Sequence, residues 1–502
     1  MAKVNKIKKI KKKPLDITDI PIIDDNQLKK ATWASAFSNA IEWYDFGVYS
    51  FLAYIIGQIF FPHISPSVQI IAALSTFSIP FFIRPLGGII FGLIGDNIGR
   101  QKVLSISLVI MSLSTFCIGL IPTYETIGVT SPVLLFIVKL AQGFSIGGEY
   151  SGSATVVAEY SPDRKRGFIG GWLDFGSMVG FILGAGLVVF LSMLLSQSAL
   201  YNWGWRIPFL IALPLGIISF ILHHISEETP TFQQHLDARQ SENIAETSST
   251  TALKQIISQY WRHILICAGL IIVTNVSFYL LLTYMPSYLA HNLNYDTEHG
   301  LLIIIAIMVG MLIIQPIVGL LSDKIGRKSF ILIGSIGLLL LSYPAFVLIN
   351  SQHIPLVFLG VFILALFINC FTGIITSILP AMFPTNIRYS AIASIFNIVI
   401  IVAGLTPTLV AWLVEATGNL FMPAYYLMMI GFIGVITGLA MHETAKKPLH
   451  NTTPTAANRH EAKALLSEHF DSIEGEVEDI DQQIEELQNK RQELVDQHPK
   501  LD

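Results

Sequence analysis

Apolar runs near or above the ~20 residues that a helix needs to cross a bilayer recur along the chain from Trp33 to Met441. They fall at about 33–61, 69–95, 103–122, 131–160, 167–195, 204–224, 262–290, 300–322, 329–349, 354–383, 389–415 and 421–441. The polar segment 225–261 divides these twelve candidate spans six and six. The pattern predicts an all-α polytopic membrane protein with a tail at each end: 1–32, a bundle over 33–224, the loop 225–261, a bundle over 262–441, a linker over 442–464 and a last element over 465–502.

The loops near 62–68, 123–131, 196–203, 291–299, 350–354 and 416–421 contain no Lys or Arg. The opposite set holds Arg100, Lys102, Arg164, Lys165, Arg166, Lys324, Arg327, Lys328 and Arg388, together with a Lys-rich N-terminus. Loops rich in Lys and Arg stay on the cytoplasmic side, so both termini and the central loop are expected there. The N-terminal lysines are followed by Asp16, Asp19, Asp24 and Asp25 rather than by the apolar core of a signal peptide.

Composition agrees with a bilayer protein. Charged residues make up 13% of the chain and hydrophobic ones 52%, against about 25% charged in soluble domains. A net charge of −4 argues against a nucleic-acid partner, which wants a broad basic surface. Cys117, Cys267 and Cys370 all lie in apolar runs and have neither disulfide nor metal-ligand spacing. No phosphate-cradling G-x-x-x-x-G-K-[ST] loop and no H-E-x-x-H metalloprotease motif is present, so neither nucleotide-driven work nor an enzyme is expected, and no cofactor.

The two halves echo each other. Gly92-Leu-Ile-Gly-Asp96-Asn-Ile-Gly99-Arg100-Gln-Lys102 recurs as Gly319-Leu-Leu-Ser-Asp323-Lys-Ile-Gly326-Arg327-Lys-Ser329, each after the second span of its half. A weaker echo pairs Tyr160-Ser-Pro162-Asp-Arg-Lys-Arg166 with Phe383-Pro384-Thr-Asn-Ile-Arg388. The doubled motif resembles the hallmark loop of the major facilitator superfamily, in which two six-helix bundles rock around a site near the midplane. The resemblance implies that Asp96 and Asp323 face positive helix N-termini of the eleventh and fifth spans. Arg100 and Arg327 would pair with these carboxylates to close the cytoplasmic side, and Glu159 and Arg166 would join that gate.

Ionisable residues inside spans are costly and mark function. The first span carries Asn39, Glu42, Trp43, Tyr44, Asp45, Phe46 and Tyr49, with Asn39, Glu42, Phe46 and Tyr49 on one helical face and Asp45 at its margin. Arg84 lies at similar depth in the second span and is the natural counter-charge to Glu42; the fourth span adds Lys139, Gln142 and Glu149, and the fifth Asp174. Desolvation and a nearby cation oppose each other at such a carboxylate, which suits a proton site, so Glu42 or Asp45 is expected to carry a coupled proton with Arg84 tuning it. Trp43, Tyr44 and Tyr150 offer aromatic faces to a quaternary or secondary amine. The acid excess within the spans disfavours a di- or tricarboxylate; a zwitterion needs one charge of each sign.

Beyond Met441 apolar residues fall at 4-3-4-3 spacing, with Phe470, Val477 and Ile484 at a and Leu466, Ile473, Ile480, Leu487, Leu494 and Leu501 at d. This heptad predicts a coiled coil. Arg491 occupies an a position, where it would meet its own copy in a parallel dimer, so a weak antiparallel homodimer is expected with Arg491 setting the register.

Asn39-Ala-Ile-Glu42-Trp-Tyr-Asp45-Phe-Gly-Val-Tyr49, Arg84-Pro-Leu-Gly-Gly88, Gln142-Gly-Phe-Ser-Ile-Gly-Gly-Glu149 and Glu159-Tyr-Ser-Pro-Asp-Arg-Lys-Arg166 resemble the metabolite:proton symporter branch of the superfamily. Trp203-Gly-Trp-Arg-Ile-Pro208 and the acidic tail are similar to bacterial osmosensory proline/glycine-betaine:proton symporters. The resemblance implies an inner-membrane protein that takes up proline, glycine betaine and related solutes with protons when external osmolality rises. A symporter of another small metabolite and a non-transporting sensor on the same fold are the competing expectations. Lys139 stands where many members have Arg, which weakens any bidentate role there.

Overall fold

A computed structural model describes residues 16–98, 100–147, 149–225, 249–293, 297–351, 353–384, 387–450 and 452–468. Twelve long helical rods run through these residues. They are α1 (Asp25–Phe60), α2 (Pro66–Ile98), α3 (Arg100–Leu120), α4 (Thr130–Glu159), α5 (Arg166–Leu194) and α6 (Arg206–Ile225), then α7 (Tyr260–Asn292), α8 (Thr297–Ile325), α9 (Arg327–Ile349), α10 (Ile354–Met382), α11 (Arg388–Thr417) and α12 (Met422–Ala440). Among the described residues nine stretches are long and apolar enough to cross a membrane. α1 falls short because its middle holds Asn39, Glu42 and Asp45. The described apolar parts of α3 and α6, Ile106–Leu120 and Arg206–Ile218, are short.

Helix starts differ from the apolar runs for a simple reason. α1 begins at Asp25, where a polar first turn with an acid near the positive end propagates helix as well as apolar residues do. Helix continues upstream of α7 as far as Ser249, inside the stretch expected to be loop, with a kink at Tyr260.

Close helix approach is built from small residues. On α5, a Cβ added to Gly176, Gly180 or Gly184 would lie 2.1, 1.9 and 2.4 Å from the carbonyl oxygens of Ala36, Ala40 and Tyr44 on α1. In lipid no hydrophobic effect draws helices together, so backbone contact across such glycines supplies the attraction. Within the first half α3 packs on α6 and α4; within the second α9 packs on α10 and α12. The halves meet through α5 with α8 and α2 with α11. Outward residues such as Ile89, Leu183 and Leu340 stay exposed, as lipid-facing positions do.

α7 departs from regular helix. π-helical turns at Leu280–Tyr284 and Tyr288–Asn292 widen it immediately after Tyr279; such insertions cluster at functional sites.

Residues 26–452 form one compact unit and the described parts of 1–25 and 453–502 another. In the smaller unit Ile20, Ala456, Ala462 and Leu465 make an apolar core with Ile17 and Leu466 against it. The Ile23 amide donates to the Ala456 carbonyl at 3.0 Å and the Ala456 amide to the Pro21 carbonyl at 3.1 Å. Leu466, a d position of the heptad, thus packs against this small core. The remaining heptad residues, including Ile480, Ile484, Leu487 and Arg491, lie outside the described residues.

Candidate functional site

Two buried carboxylate–cation pairs sit side by side at mid-depth of the first half. Arg84 Nη2 lies 3.4 Å from Glu42 Oε1, with side chains 5% and 2% exposed. Lys139 Nζ lies 3.5 Å from Asp45 Oδ2. Gln142 joins the second pair, donating from Nε2 to Asp45 Oδ2 at 2.5 Å and to Thr115 Oγ1 at 2.9 Å, while its Oε1 accepts from Lys139 Nζ at 2.8 Å. Lys139 Nζ also stands 3.9 Å from the centroid of the Tyr49 ring. Glu42 and Asp45, three residues apart and so on one side of α1, meet partners on two neighbouring helices, α2 and α4.

Both pairs are incompletely bonded. Among the described residues, Glu42 Oε2, Asp45 Oδ1 and Arg84 Nε are buried without a hydrogen-bond partner. Buried polar atoms normally have partners, so these three are where a ligand or proton gains most.

Aromatic rings cover this centre. Tyr279 on α7 stacks on Trp43 with ring centroids 6.1 Å apart and meets Phe81 at 5.5 Å and Phe77 at 5.9 Å. Arg84 Cζ lies 5.5 Å from the centroid of the Phe396 ring on α11. The centre therefore draws residues from α1, α2, α3, α4, α7 and α11.

Asn39 and Tyr44 hydrogen-bond to neighbouring helices. Asn39 Nδ2 donates to the Leu173 carbonyl at 3.0 Å and to Ser177 Oγ, tying α1 to α5. The Tyr44 hydroxyl donates to the Pro208 carbonyl at 2.8 Å. Tyr150 lies closer to the basic face, where its hydroxyl donates to Asp174. The side chains of Glu149, Asp96 and Arg100 lie outside the described residues.

At the basic face, Asp323 Oδ1 and Oδ2 accept the amides of Gly167 and Phe168 at 2.8 and 2.9 Å, at the start of α5 in the opposite bundle. Arg327 Nη2 lies 3.2 Å from Asp323 Oδ1. Glu159 accepts from Arg388 Nη1 at 2.6 Å, another contact across the bundles. Arg166 pairs with Asp163 and donates to the Lys447 carbonyl at 3.0 Å.

Sequence reasoning passed over the segment after α12. Its main-chain oxygens receive Arg166 at Lys447, Arg327 at Thr444 and Arg388 at His450. Glu443 accepts the amides of Arg327 and Lys328 at 3.0 and 3.1 Å and so caps α9. Gly326 precedes them at φ 113°, and a Cβ there would come within 2.6 Å of Glu443 Oε2. The only signal in the sequence was a carboxylate directly after the last apolar run.

Residues 31–455 match the family described as sugar (and other) transporter, and residues 457–502 match the osmosensory transporter coiled coil. The chain belongs to this transporter family. It is a membrane transporter with a C-terminal coiled coil, rather than an enzyme. Relatives include the proline/betaine transporter of Escherichia coli (strain K12), 58% identical over 99% of this chain and 100% of that protein. The glycine betaine/proline/ectoine/pipecolic acid transporter OusA of Dickeya dadantii is 57% identical over 99% of each. Among solved structures, the major facilitator superfamily proton:xylose symporter XylE, bound to a bromodeoxyglucose, superposes with TM-score 0.68 at 19% identity, covering 88% of this chain and 99% of that one. That likeness gives the chain the two-bundle superfamily fold.

Proposed function

We propose that this transporter carries zwitterionic compatible solutes, with proline and glycine betaine foremost and ectoine among them, in symport with protons across a bacterial inner membrane, and is activated by high external osmolality. The observation that carries the reading is the Glu42–Arg84 pair, long at 3.4 Å, each partner keeping one buried unpaired atom beneath a roof of aromatic rings. A zwitterion offers one charge of each sign: a carboxylate for Arg84, and an ammonium for Glu42 and the ring faces. The names of the relatives and the coiled coil support the solute class and the osmotic trigger.

The coupled proton resides on Glu42 or Asp45. Arg84 tunes the first, and Lys139 with Gln142 the second. Trp43 contributes a ring face to the solute site; Asn39, Tyr44, Tyr150 and Glu149 complete its surroundings. Asp96, Arg100, Asp323, Arg327, Glu159 and Arg166 close the cytoplasmic side. The charge bias of the loops puts both termini in the cytoplasm. The tails pair as a weak antiparallel homodimer with Arg491, Ile480, Ile484 and Leu487 setting register. Cysteine pairs placed for antiparallel cross-linking in the full chain should lose their cross-link on Arg491→Ile.

Labelled-proline uptake into proteoliposomes at stepped external osmolality, with and without an imposed proton gradient, tests the main reading. Accumulation that needs both the gradient and raised osmolality, and that excess glycine betaine suppresses, is expected. Uptake insensitive to the gradient would overturn proton coupling. Absence of any proline uptake, with competition from a different metabolite, would overturn the solute class.

A further inference from the structure

Asp174 is a buried carboxylate that the solute and proton site does not use. It lies on α5, about 12 Å of helical rise from Arg166 toward the centre. Its Oδ2 accepts the Thr376 hydroxyl of α10 at 2.5 Å, across the bundle interface. Its Oδ1 accepts the Tyr150 hydroxyl of α4 at 3.2 Å. The two hydroxyls are themselves 3.3 Å apart, closing a triangle. Among the described residues Asp174 has no ion-pair partner, and these two hydroxyls are the groups that bond it. The triangle is also joined to the centre: the Tyr150 ring stacks on Phe396 at 4.7 Å, and Phe396 lies under Arg84.

We propose that Asp174 is a positioning residue that latches the cytoplasmic half of the pathway shut through Thr376, with Tyr150 and Phe396 linking the latch to the Glu42–Arg84 pair. The physical basis is an asymmetry. When the bundles rock apart on this side, Thr376 departs with the second bundle while Tyr150 stays with the first. The Asp174 carboxyl then loses its shortest bond in a buried place, where hydrogen bonds are strong. Its retention of that bond opposes opening until solute and proton rearrange the pair next door. The proposal rests on the sidedness argued above, and its test needs no transported solute.

The reporter is Ser322→Cys, a near-isosteric change at a position 0% exposed that faces Gly167 of the other bundle, in a chain with Cys117, Cys267 and Cys370 replaced. Its alkylation by N-ethylmaleimide in inverted vesicles, normalised to labelling after denaturation, reads opening toward the cytoplasm. Thr376→Val should raise the rate up to about tenfold, the upper end expected for losing one hydrogen bond. Thr376→Ser, which restores the hydroxyl, should return it to the starting rate. Asp174→Asn should accelerate labelling, and combining it with Thr376→Val should add nothing further, as partners in one bond are not additive. An unchanged rate in Thr376→Val, or a rate in Thr376→Ser equal to that in Thr376→Val, overturns the latch. An exposed Lys165→Cys labelled from each side with an impermeant maleimide checks sidedness separately.

Discussion

The centre of the bundle and its basic face both bury cations, and they satisfy them to different degrees. At the centre, Arg84 and Lys139 meet carboxylates at 3.4 and 3.5 Å, and atoms of Glu42, Asp45 and Arg84 go unbonded. At the face, Arg388 makes a 2.6 Å contact with Glu159 and also donates to the Pro380, Phe383 and His450 carbonyls. Arg327 reaches Asp323, Ser377 and Thr444, and among the described residues its Nε alone is left without a partner. The difference teaches where exchange can occur. A cation saturated by main-chain carbonyls holds one arrangement, whereas a loosely held pair can trade its partner for a ligand or a proton at small cost.

The largest expected effect comes from breaking a central pair outright. Arg84→Ala leaves Glu42 buried without its cation, which costs about 3–5 kcal/mol. Thermal unfolding of the purified protein should fall accordingly, and Glu42→Gln in the same chain should recover part of the loss. A melting temperature unchanged by Arg84→Ala would mean that the pair is not buried as a pair.

Coupling separates the two carboxylates. One pH unit across the membrane is worth about 1.4 kcal/mol, or tenfold accumulation for one proton per solute. Glu42→Gln should lose that gradient-driven factor while solute exchange continues. If Asp45→Asn loses it and Glu42→Gln keeps it, the proton belongs to the pair with Lys139.

The basic face should respond through opening rather than binding. Arg388→Met leaves three carbonyls without that donor and should destabilise the closed state by about 1–3 kcal/mol. The apparent affinity for proline measured from outside should hardly move. A large affinity change would erase the distinction between the two regions.

The smallest effect concerns Glu443. Burial alone would raise its carboxyl, but bonds from the amides of Ala445, Arg327, Lys328 and Thr444 outweigh it and hold it below the ordinary carboxylate range. A group depressed in the folded state stabilises the fold above its unfolded value, and that contribution is lost as pH falls through the folded one. Melting curves of wild type and Glu443→Gln should therefore differ on the order of 1 °C near neutral pH and converge in acid. A gap that widened in acid would reverse the assignment.

The rods of the fold were legible because a bilayer imposes one requirement on every span, an apolar length, and the chain meets it over and over. The Glu42–Arg84 pairing was legible too, since ionisable groups of opposite sign at equal depth have few other partners in lipid. Asp45 was legible only as a charge at the margin of a face. Its partner on α4 depends on how α1, α2 and α4 pack, which spacing along one helix does not encode. The glycines of α5 carry the regular four-residue step of a packing face, yet nothing in that step names α1 as the neighbour.

By itself, then, the order of residues determined the bilayer class, the duplicated halves, the doubled Asp–Arg loop and the heptad tail, all of which are periodic or local. Only the tertiary structure decided that Asn39 bonds to α5 and Tyr44 to α6, that Glu159 meets Arg388, that the segment after α12 receives three arginines, and that Asp174 joins Thr376 across the bundles. Each of those contacts links residues far apart in the chain, and their partners are chosen by the geometry of packed helices rather than by any local preference.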